Sequence, residues 1–237
     1  MSLHNDAPAL CRLYDRLETM YGAETWHWMP AHVEGAVDVI AGAVLVQHTT
    51  WTNAERALER LRDANALDIS VLAQIPEQEI ASLVRVSGTP AVKARRLRAV
   101  AHTVETAGGV DAFLALPAED LRARLLATHG VGPETADAIA LYAAGYPVFI
   151  VDAYTKRLFR RLGLGPHEGD GYDDWQRYLH DRFGEVNSEA LQRFHAYIVL
   201  HGKKLCRAKP LCPKCPLVAD CPAGQAISAA QLTGSRR

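Results

Sequence analysis

The chain has 237 residues, of which 49% are hydrophobic and 22% charged, and its 26 basic and 27 acidic residues give a formal net charge of -1. This composition is ordinary for a globular protein of one large or two small domains, and no segment approaches the apolar length that crosses a bilayer. The near-zero charge excludes nucleic-acid binding through an overall basic excess, so a DNA-binding face would need segregated charge.

Helical periodicity recurs along the chain, whereas strand-like alternation is nearly absent, and we therefore predict an all-α fold. The N-terminal residues carry scattered charges and no signal-peptide core, which favours a cytoplasmic, nucleoid-associated protein without membrane attachment. Three apolar stripes predict the first helices. They comprise Leu10, Leu13, Leu17 and Met20; Val37, Ile40, Val44 and Leu45; and Ala54, Ala57, Leu58 and Leu61.

The middle of the chain predicts a turn at 87–90, a basic helix over 92–107, and two helices near 121–126 and 136–144. Between the last two lies a glycine hairpin formed by Gly130, Val131 and Gly132, in which glycine permits positive φ. Because a helix N-terminus follows at once, the hairpin is a candidate phosphate site. The apolar run 148–151 is interpreted as a buried extended connector that leads to Asp152, a residue type favoured at helix N-caps.

Four of the five cysteines lie in a short C-terminal stretch, at Cys206, Cys212, Cys215 and Cys221, while Cys11 stands apart. Cytosolic cysteines gathered this closely bind metal more often than they form disulfides. Four thiolates suit either tetrahedral zinc or an iron–sulfur cluster. We favour the cluster, because zinc sites typically use two C-x2-C pairs and only Cys212 and Cys215 form one.

The hairpin, the aspartate twenty residues beyond it and the cysteine tail resemble the endonuclease III superfamily of helix-hairpin-helix, base-excision DNA glycosylases, over about residues 26–221. The resemblance implies two helical domains flanking a DNA-binding cleft. Residues 35–150 would form a helical barrel domain with the helix-hairpin-helix motif. Residues 1–34 and 151–237 would form a second domain with a 4Fe-4S cluster loop. The first cysteine gap has five residues where the family usually has six, which affects loop geometry more than ligand identity.

The resemblance also implies roles for individual residues. Asp152 is expected to be catalytic, and Gln47 to fill the gap that a flipped base leaves, although Gln47 also suits a plain helix terminus. Basic residues can equally form a solvated face. The expected DNA-binding residues are Gln47, Lys93, Gly130, Val131, Gly132, Thr135, Lys156 and Arg157. The expected cluster ligands are Cys206, Cys212, Cys215 and Cys221.

Two departures from the superfamily pattern narrow the expected reaction. Glu134 stands where bifunctional members carry a nucleophilic lysine, which implies hydrolysis without AP-lyase activity, although a glutamate there also suits the helix dipole. Gly42 stands near the position where adenine-mismatch glycosylases need a glutamate, which argues against that branch.

The base pocket is expected to resemble that of the 3-methyladenine glycosylases, whose motif is similar to GVGPETADAI in this chain. Tryptophan favours cationic alkylated bases through cation–π contact, although tryptophans also pack domain junctions. Lys203 lies in a His-Gly-Lys motif that belongs either to the pocket or to the cluster loop. The expected pocket residues are Trp26, Trp28, Trp51, Glu134 and Lys203.

We therefore expect a monomeric hydrolase of base excision repair that binds double-stranded DNA containing a damaged base. It would flip the base and cleave the N-glycosidic bond of alkylated purines, chiefly 3-methyladenine. Two alternatives remain open on the sequence. One is a glycosylase for uracil, a mismatched pyrimidine or an oxidised base, and the other is a non-catalytic DNA-damage-binding protein.

Overall fold

The computed structural model describes residues 7–25, 35–166 and 169–234, and the predicted pocket residues Trp26 and Trp28 lie outside these ranges. All regular structure within them is helical and no strand is present, which confirms the predicted all-α fold. None of these helices combines the length and the apolarity of a bilayer span. In chain order the α-helices are α1 (Ala7–Thr25), α2 (Ala36–Leu45), α3 (Trp51–Asp63), α4 (Ile69–Gln74), α5 (Glu77–Leu83), α6 (Pro90–Thr106), α7 (Val110–Leu114), α8 (Ala118–Ala127), α9 (Pro133–Tyr142), α10 (Ala153–Arg161), α11 (Tyr172–Phe183), α12 (Ser188–Lys204) and α13 (Pro222–Gly234).

The chain forms two compact units, Pro30–Val148 and Met1–Met29 together with Phe149–Arg237. The first unit is built around α6, which packs against α2, α4, α5 and α8. The helix begins at Pro90, because a proline in the first turn lacks only an N–H that would have no partner in the helix. A short 3-10 turn and Thr89, with φ of 43°, precede it and form the predicted turn.

The apolar stripes of α2 and α3 form much of the core of this unit. Ile40, Val44, Leu45, Leu58 and Leu61 are each at most 1% exposed. Fully burying a side chain of this kind contributes roughly 1.5–3 kcal/mol. The spacing that predicted these two helices therefore also identified which of their faces is buried.

The second unit contains an aromatic core. Phe194 of α12 meets the rings of Phe149, Phe159 and Phe183 at centroid distances of 5.6, 6.4 and 5.1 Å. Phe149 is 4% exposed and belongs to the apolar run 148–151, which is extended but not paired as a strand. Burial of this run fixes the start of α10, and so the position of the residue that precedes it, Asp152.

Candidate active site

The glycine hairpin of the first unit joins α8 to α9. The N–H of Val131 donates to the carbonyl of Thr128 at 3.1 Å, and the Val131 side chain is 7% exposed. Gly130 has a φ of 80°, whereas Gly132 is extended with a φ of -96°, so the expected positive φ occurs at the first glycine only. Within the described residues, the N–H groups of Gly130 and Gly132 donate to no other group. These amides, at the N-terminus of α9, are available to an anion.

Arg96 of α6 explains why residue 130 has no side chain. A Cβ on Gly130 would overlap the aliphatic part of Arg96, which crosses the hairpin at this point. The guanidinium then reaches Gln47, and its Nη1 donates to Gln47 Oε1 at 2.5 Å. Arg96 is therefore the member of the basic helix 92–107 that contacts the hairpin.

Gln47 follows the end of α2 and lies against the hairpin. Its Nε2 donates to the carbonyl of Gly130 at 3.1 Å and to the hydroxyl of Thr135 at 2.9 Å. Thr135 is 8% exposed, so its hydroxyl belongs to this network more than to the surface. Entry of Gln47 into a duplex would exchange these hydrogen bonds for contacts with DNA, and that insertion stays a prediction.

Lys93 does not lie on the surface, and the prediction that it contacts a phosphate is wrong. Its side chain is 1% exposed, and Nζ donates to the carbonyl of Leu45 at 2.7 Å and to that of Ser87. Burial, followed by the nearby charge of Arg96, lowers the pKa of Lys93. The ammonium therefore satisfies carbonyls at the end of α2 and in the turn before α6.

Trp51 begins α3 and packs partly buried against the core of the first unit. Its Cη2 lies 3.1 Å from the position that a Cβ on Gly42 would take. Its Nε1 is buried and finds no acceptor among the described residues. Trp51, one of the three predicted pocket tryptophans, thus packs the edge of its six-membered ring against α2 at Gly42.

Glu134 is the second residue of α9 and is exposed. Its carboxylate lies in the first turn of the helix, where negative charge is favourable. No amine stands at this position, so the hairpin presents a carboxylate where the resemblance would place the lysine nucleophile.

Asp152 caps α10 in the second unit. Its Oδ1 accepts the N–H of Thr155 at 2.7 Å, and its Oδ2 lies 3.6 Å from Nε2 of His195 on α12. The Asp152 and His195 side chains are only 11% and 13% exposed. Burial alone would raise the pKa of Asp152, but His195 and the hydrogen bonds of Thr155 outweigh it and hold that pKa below its usual value. The carboxylate is therefore buried and ionised.

The basic residues of α10 have partners within the protein. Lys156 Nζ donates to the carbonyl of Asp170 at 2.7 Å. Arg157 Nε donates to the carbonyl of Cys206 at 2.8 Å, and Arg161 Nη1 lies 3.2 Å from Cys206 Sγ. The predicted DNA contacts of Lys156 and Arg157 would have to coexist with these bonds and stay predictions. The bonds themselves tie the helix that follows Asp152 to the cysteine tail.

The His-Gly-Lys motif lies at the end of α12. His201 is 1% exposed, its Nδ1 is 3.1 Å from the Tyr21 hydroxyl, and burial lowers its pKa to about 4. A Cβ on Gly202 would overlap the ring of Tyr154. Lys203 is exposed, so two of the three motif residues are explained by packing and the role of Lys203 stays a prediction.

All four cysteines of the tail line one cavity, whose other walls are mainly apolar. Cys206 and Cys212 are buried and Cys215 and Cys221 half-buried. Burial raises the pKa of the Cys215 thiol, and the three other thiols raise it further, which reflects how closely the four converge. Within the described ranges no group of three or more side chains is spaced as ready ligands of a metal ion. A four-thiol donor set around an apolar cavity suits an iron–sulfur cluster.

His195 was not recognised as a site residue from the sequence, and neither was the contact of Arg161 with the cysteine tail. His195 lies on a largely buried helix, where a single histidine gives no motif. For Arg161, the useful signal would have been its spacing from Arg157. The two residues are four apart and so share one face of α10.

The comparisons with known proteins agree on one family. A family profile described as the HhH-GPD superfamily base excision DNA repair protein matches residues 41–183. The chain is 37% identical over 206 residues to MJ1434 of Methanocaldococcus jannaschii, which carries the provisional name of a DNA repair glycosylase. The match covers 86% of this chain and 91% of that protein.

Several solved structures have similar folds, and their glycosylases are named for different bases. An endonuclease III–DNA complex superimposes with a TM-score of 0.76 at 22% identity, covering 94% of this chain and 98% of that one. The Helicobacter pylori 3-methyladenine DNA glycosylase bound to 1,N6-ethenoadenine gives 0.69 at 25% identity, covering 81% and 96%. A thermostable thymine-DNA glycosylase gives 0.71 at 19% identity, covering 95% and 100%. The two matches below 25% identity show the fold alone.

Proposed function

Because the chain belongs to the HhH-GPD superfamily of base excision DNA repair proteins and is a DNA glycosylase, we propose that it hydrolyses the N-glycosidic bond without a lyase step, and that its substrates are alkylated purines of the 3-methyladenine type. The observation that carries this proposal is Asp152, a buried carboxylate with a lowered pKa at the start of α10. The proposed substrate of the protein is double-stranded DNA that contains the damaged base.

The proposed chemistry needs a fixed negative charge. As the base departs, the sugar gains oxocarbenium character, and a preorganised carboxylate stabilises that charge strongly in a water-poor site. Asp152 can also orient or deprotonate the attacking water. Its low pKa keeps it ionised at neutral pH, so no change in protonation precedes the reaction.

The absence of a lyase step is proposed from the hairpin. A Schiff base with the sugar needs an amine, and residue 134 is a glutamate. Lys93, which belongs to the same unit, is buried and donates to two carbonyls, so it does not replace the missing amine. Water is therefore the proposed nucleophile.

The substrate class is proposed from Trp51 and from the likeness to the H. pylori 3-methyladenine glycosylase. Alkylated purines such as 3-methyladenine carry positive charge, which an indole ring favours by about 0.5–2 kcal/mol. They also have a weakened glycosidic bond, so a single carboxylate suffices. Uracil, mismatched thymine and oxidised bases are the alternative substrates, and a non-catalytic damage-binding protein is the alternative function.

We further propose that Cys206, Cys212, Cys215 and Cys221 hold a 4Fe-4S cluster. When bound, the cluster would supply four strong iron–thiolate links rather than catalytic chemistry, since Asp152 alone provides the proposed charge. The residues around it would orient the tail. Arg161 on α10 donates to Cys206 Sγ, and Nε2 of His201 lies 3.7 Å from Cys215 Sγ.

The test is single-turnover release of free base from duplexes carrying 3-methyladenine, 1,N6-ethenoadenine, uracil, mismatched thymine or 8-oxoguanine. We expect 3-methyladenine to be released fastest, and Asp152→Asn to slow release by about 100-fold or more. Asparagine is also a good N-cap, so this variant should keep α10 intact. Asp170→Asn, an exposed aspartate of the same unit, is the matched control and should retain activity.

Borohydride trapping separates the monofunctional from the bifunctional reaction, because it fixes a Schiff base covalently to DNA. The wild-type protein should not be trapped, and Glu134→Lys should gain trapping if residue 134 faces the opened sugar. Efficient trapping of the wild type would refute hydrolysis alone. Binding of every duplex without release of any base would instead favour the damage-binding alternative.

A further inference from the structure

Asp152 faces a histidine that no motif identifies. We infer that His195 is a positioning residue for the glycosylase reaction, which holds the second oxygen of the Asp152 carboxylate in its working direction. This inference rests on the proposed function, since it assigns His195 a part in the reaction that Asp152 performs. It requires the contact between α10 and α12, two helices that pack together within one unit.

The two carboxylate oxygens have separate partners. Oδ1 accepts the N–H of Thr155 at 2.7 Å, which ties it to the first turn of α10. Oδ2 points the other way and lies 3.6 Å from Nε2 of His195. The helix cap fixes the position of one oxygen only, because the carboxylate can still tilt about that bond. A second contact from a different helix removes this freedom.

His195 suits this task as a hydrogen-bond donor. An ionised carboxylate only accepts hydrogen bonds, so the nitrogen facing Oδ2 must carry the proton. Donation from Nε2 orients the carboxylate while Asp152 remains the ionised, accepting partner. The separation of 3.6 Å is longer than a hydrogen bond, and contacts of this kind often tighten only when substrate binds.

Burial makes the contact effective. Both side chains are at most 13% exposed, so water screens their interaction little. The groups facing the Asp152 carboxylate are His195 from α12 and Thr155 from α10, and the Tyr172 hydroxyl lies 3.4 Å from the N–H of the preceding residue, Val151. Lys156, on the next turn of α10, is engaged by Asp170.

The test compares His195→Leu, which cannot donate, with His195→Gln, whose amide N–H can still donate to Oδ2. His180→Gln, an exposed histidine on α11, is the matched control. At saturating protein, His195→Leu should lower the single-turnover rate constant by about 10- to 100-fold, and His195→Gln should restore most of it. The dissociation constant for DNA should change less than about threefold in all three variants, because DNA contact is not the proposed role of His195.

The pH profile adds a readout that a purely structural role would not move. His195 lowers the pKa of Asp152, so its removal should raise that pKa, and the acid limb of the rate profile should move to higher pH in His195→Leu. Thermal unfolding of each variant checks that the protein is folded. Unchanged rates and an unmoved acid limb in both variants would overturn the inference, as would a loss confined to stability and DNA affinity.

A direct titration separates failure of this inference from failure of the proposed function. The carboxyl carbon-13 resonance of Asp152 can be followed in DNA-free protein, without any catalysis. If the wild type released no base from any duplex, the proposed function would fall and the role in the reaction with it, while the titration would still report the Asp152–His195 contact. If the wild type is active and neither the titration nor the rate responds to residue 195, the inference alone is overturned.

Discussion

At the scale of single residues, the ring of Trp51 packs where a side chain on Gly42 would lie. A Cβ on Gly42 would lie 3.1 and 3.3 Å from two ring carbons of Trp51, closer than the packing tolerates without movement. A glutamate at position 42 would therefore require the indole to shift from its present place. The side chain that adenine-mismatch glycosylases need near this position would thus meet an aromatic ring beside α2.

Trp51 is the residue on which the proposed substrate class can be tested. Trp51→Leu should slow release of 3-methyladenine by about 2- to 30-fold more than release of a neutral lesion, because it removes the cation–π contact. Trp51→Phe keeps a ring and should lose less. The measurement is the single-turnover rate on each duplex together with DNA affinity. Equal losses on charged and neutral bases would make Trp51 a packing residue.

At the scale of elements, α10 joins two parts of the proposed site. Its N-terminus is capped by Asp152, and Arg157 and Arg161 on its later turns donate to the Cys206 segment. A change in the cysteine tail would therefore reach the start of the same helix. Spacing could predict that these arginines share a face, but not that their donors are used by the tail.

The hairpin between α8 and α9 offers a matched pair of glycines. Gly130→Ala should destabilise the protein by at least about 1 kcal/mol, because φ is positive there and a Cβ would overlap Arg96. Gly132→Ala should cost less stability, because its backbone is extended and nothing lies within 4 Å of the added Cβ, so only the weaker N-cap of alanine is felt. Denaturant unfolding measures both.

The same pair tests the proposed DNA contact. The space around Gly132 is where a DNA backbone would approach the free amides, so Gly132→Ala should weaken DNA binding while the fold stays intact. If Gly132→Ala bound DNA with unaltered affinity, the DNA would not contact the hairpin amides. A Gly132→Ala variant destabilised as much as Gly130→Ala would contradict the geometry of the hairpin itself.

At the scale of the whole molecule, the cysteine tail contacts several helices of its own unit. Arg16 of α1 donates to the Pro216 carbonyl at 2.5 Å and pairs with Asp220, while Arg161 and His201 approach it from α10 and α12. Loss of a bound cluster should therefore loosen this unit beyond the tail.

Purified wild-type protein should accordingly contain iron and sulfide and absorb visible light. Cys212→Ser should lose the colour and lower the unfolding midpoint, whereas Cys11→Ser, at an exposed and isolated cysteine of α1, should change neither. Metal analysis and thermal unfolding are the measurements. A colourless protein that contains zinc would replace the cluster assignment, and identical behaviour of the two variants would remove the structural role of the tail.

The sequence by itself determined the all-α class, the buried faces of α2 and α3, the hairpin and the family. These follow from local periodicity, glycine and proline placement, and motif spacing, which depend on neighbours a few residues apart. The segment that became α11 was not delimited, because its burial depends on distant aromatic partners such as Phe159, whose ring centroid lies 6.3 Å from that of Trp175.

Only the tertiary structure decided which polar side chains face one another. Lys93 carries the charge that predicted a DNA contact, yet folding turns it inward to carbonyls 48 and 6 residues away in the chain. His195 carries no motif, yet folding brings it to Asp152 from another helix. A charged side chain has the same sequence signature on a surface or in a core, and burial by residues distant in the chain decides which partner it meets.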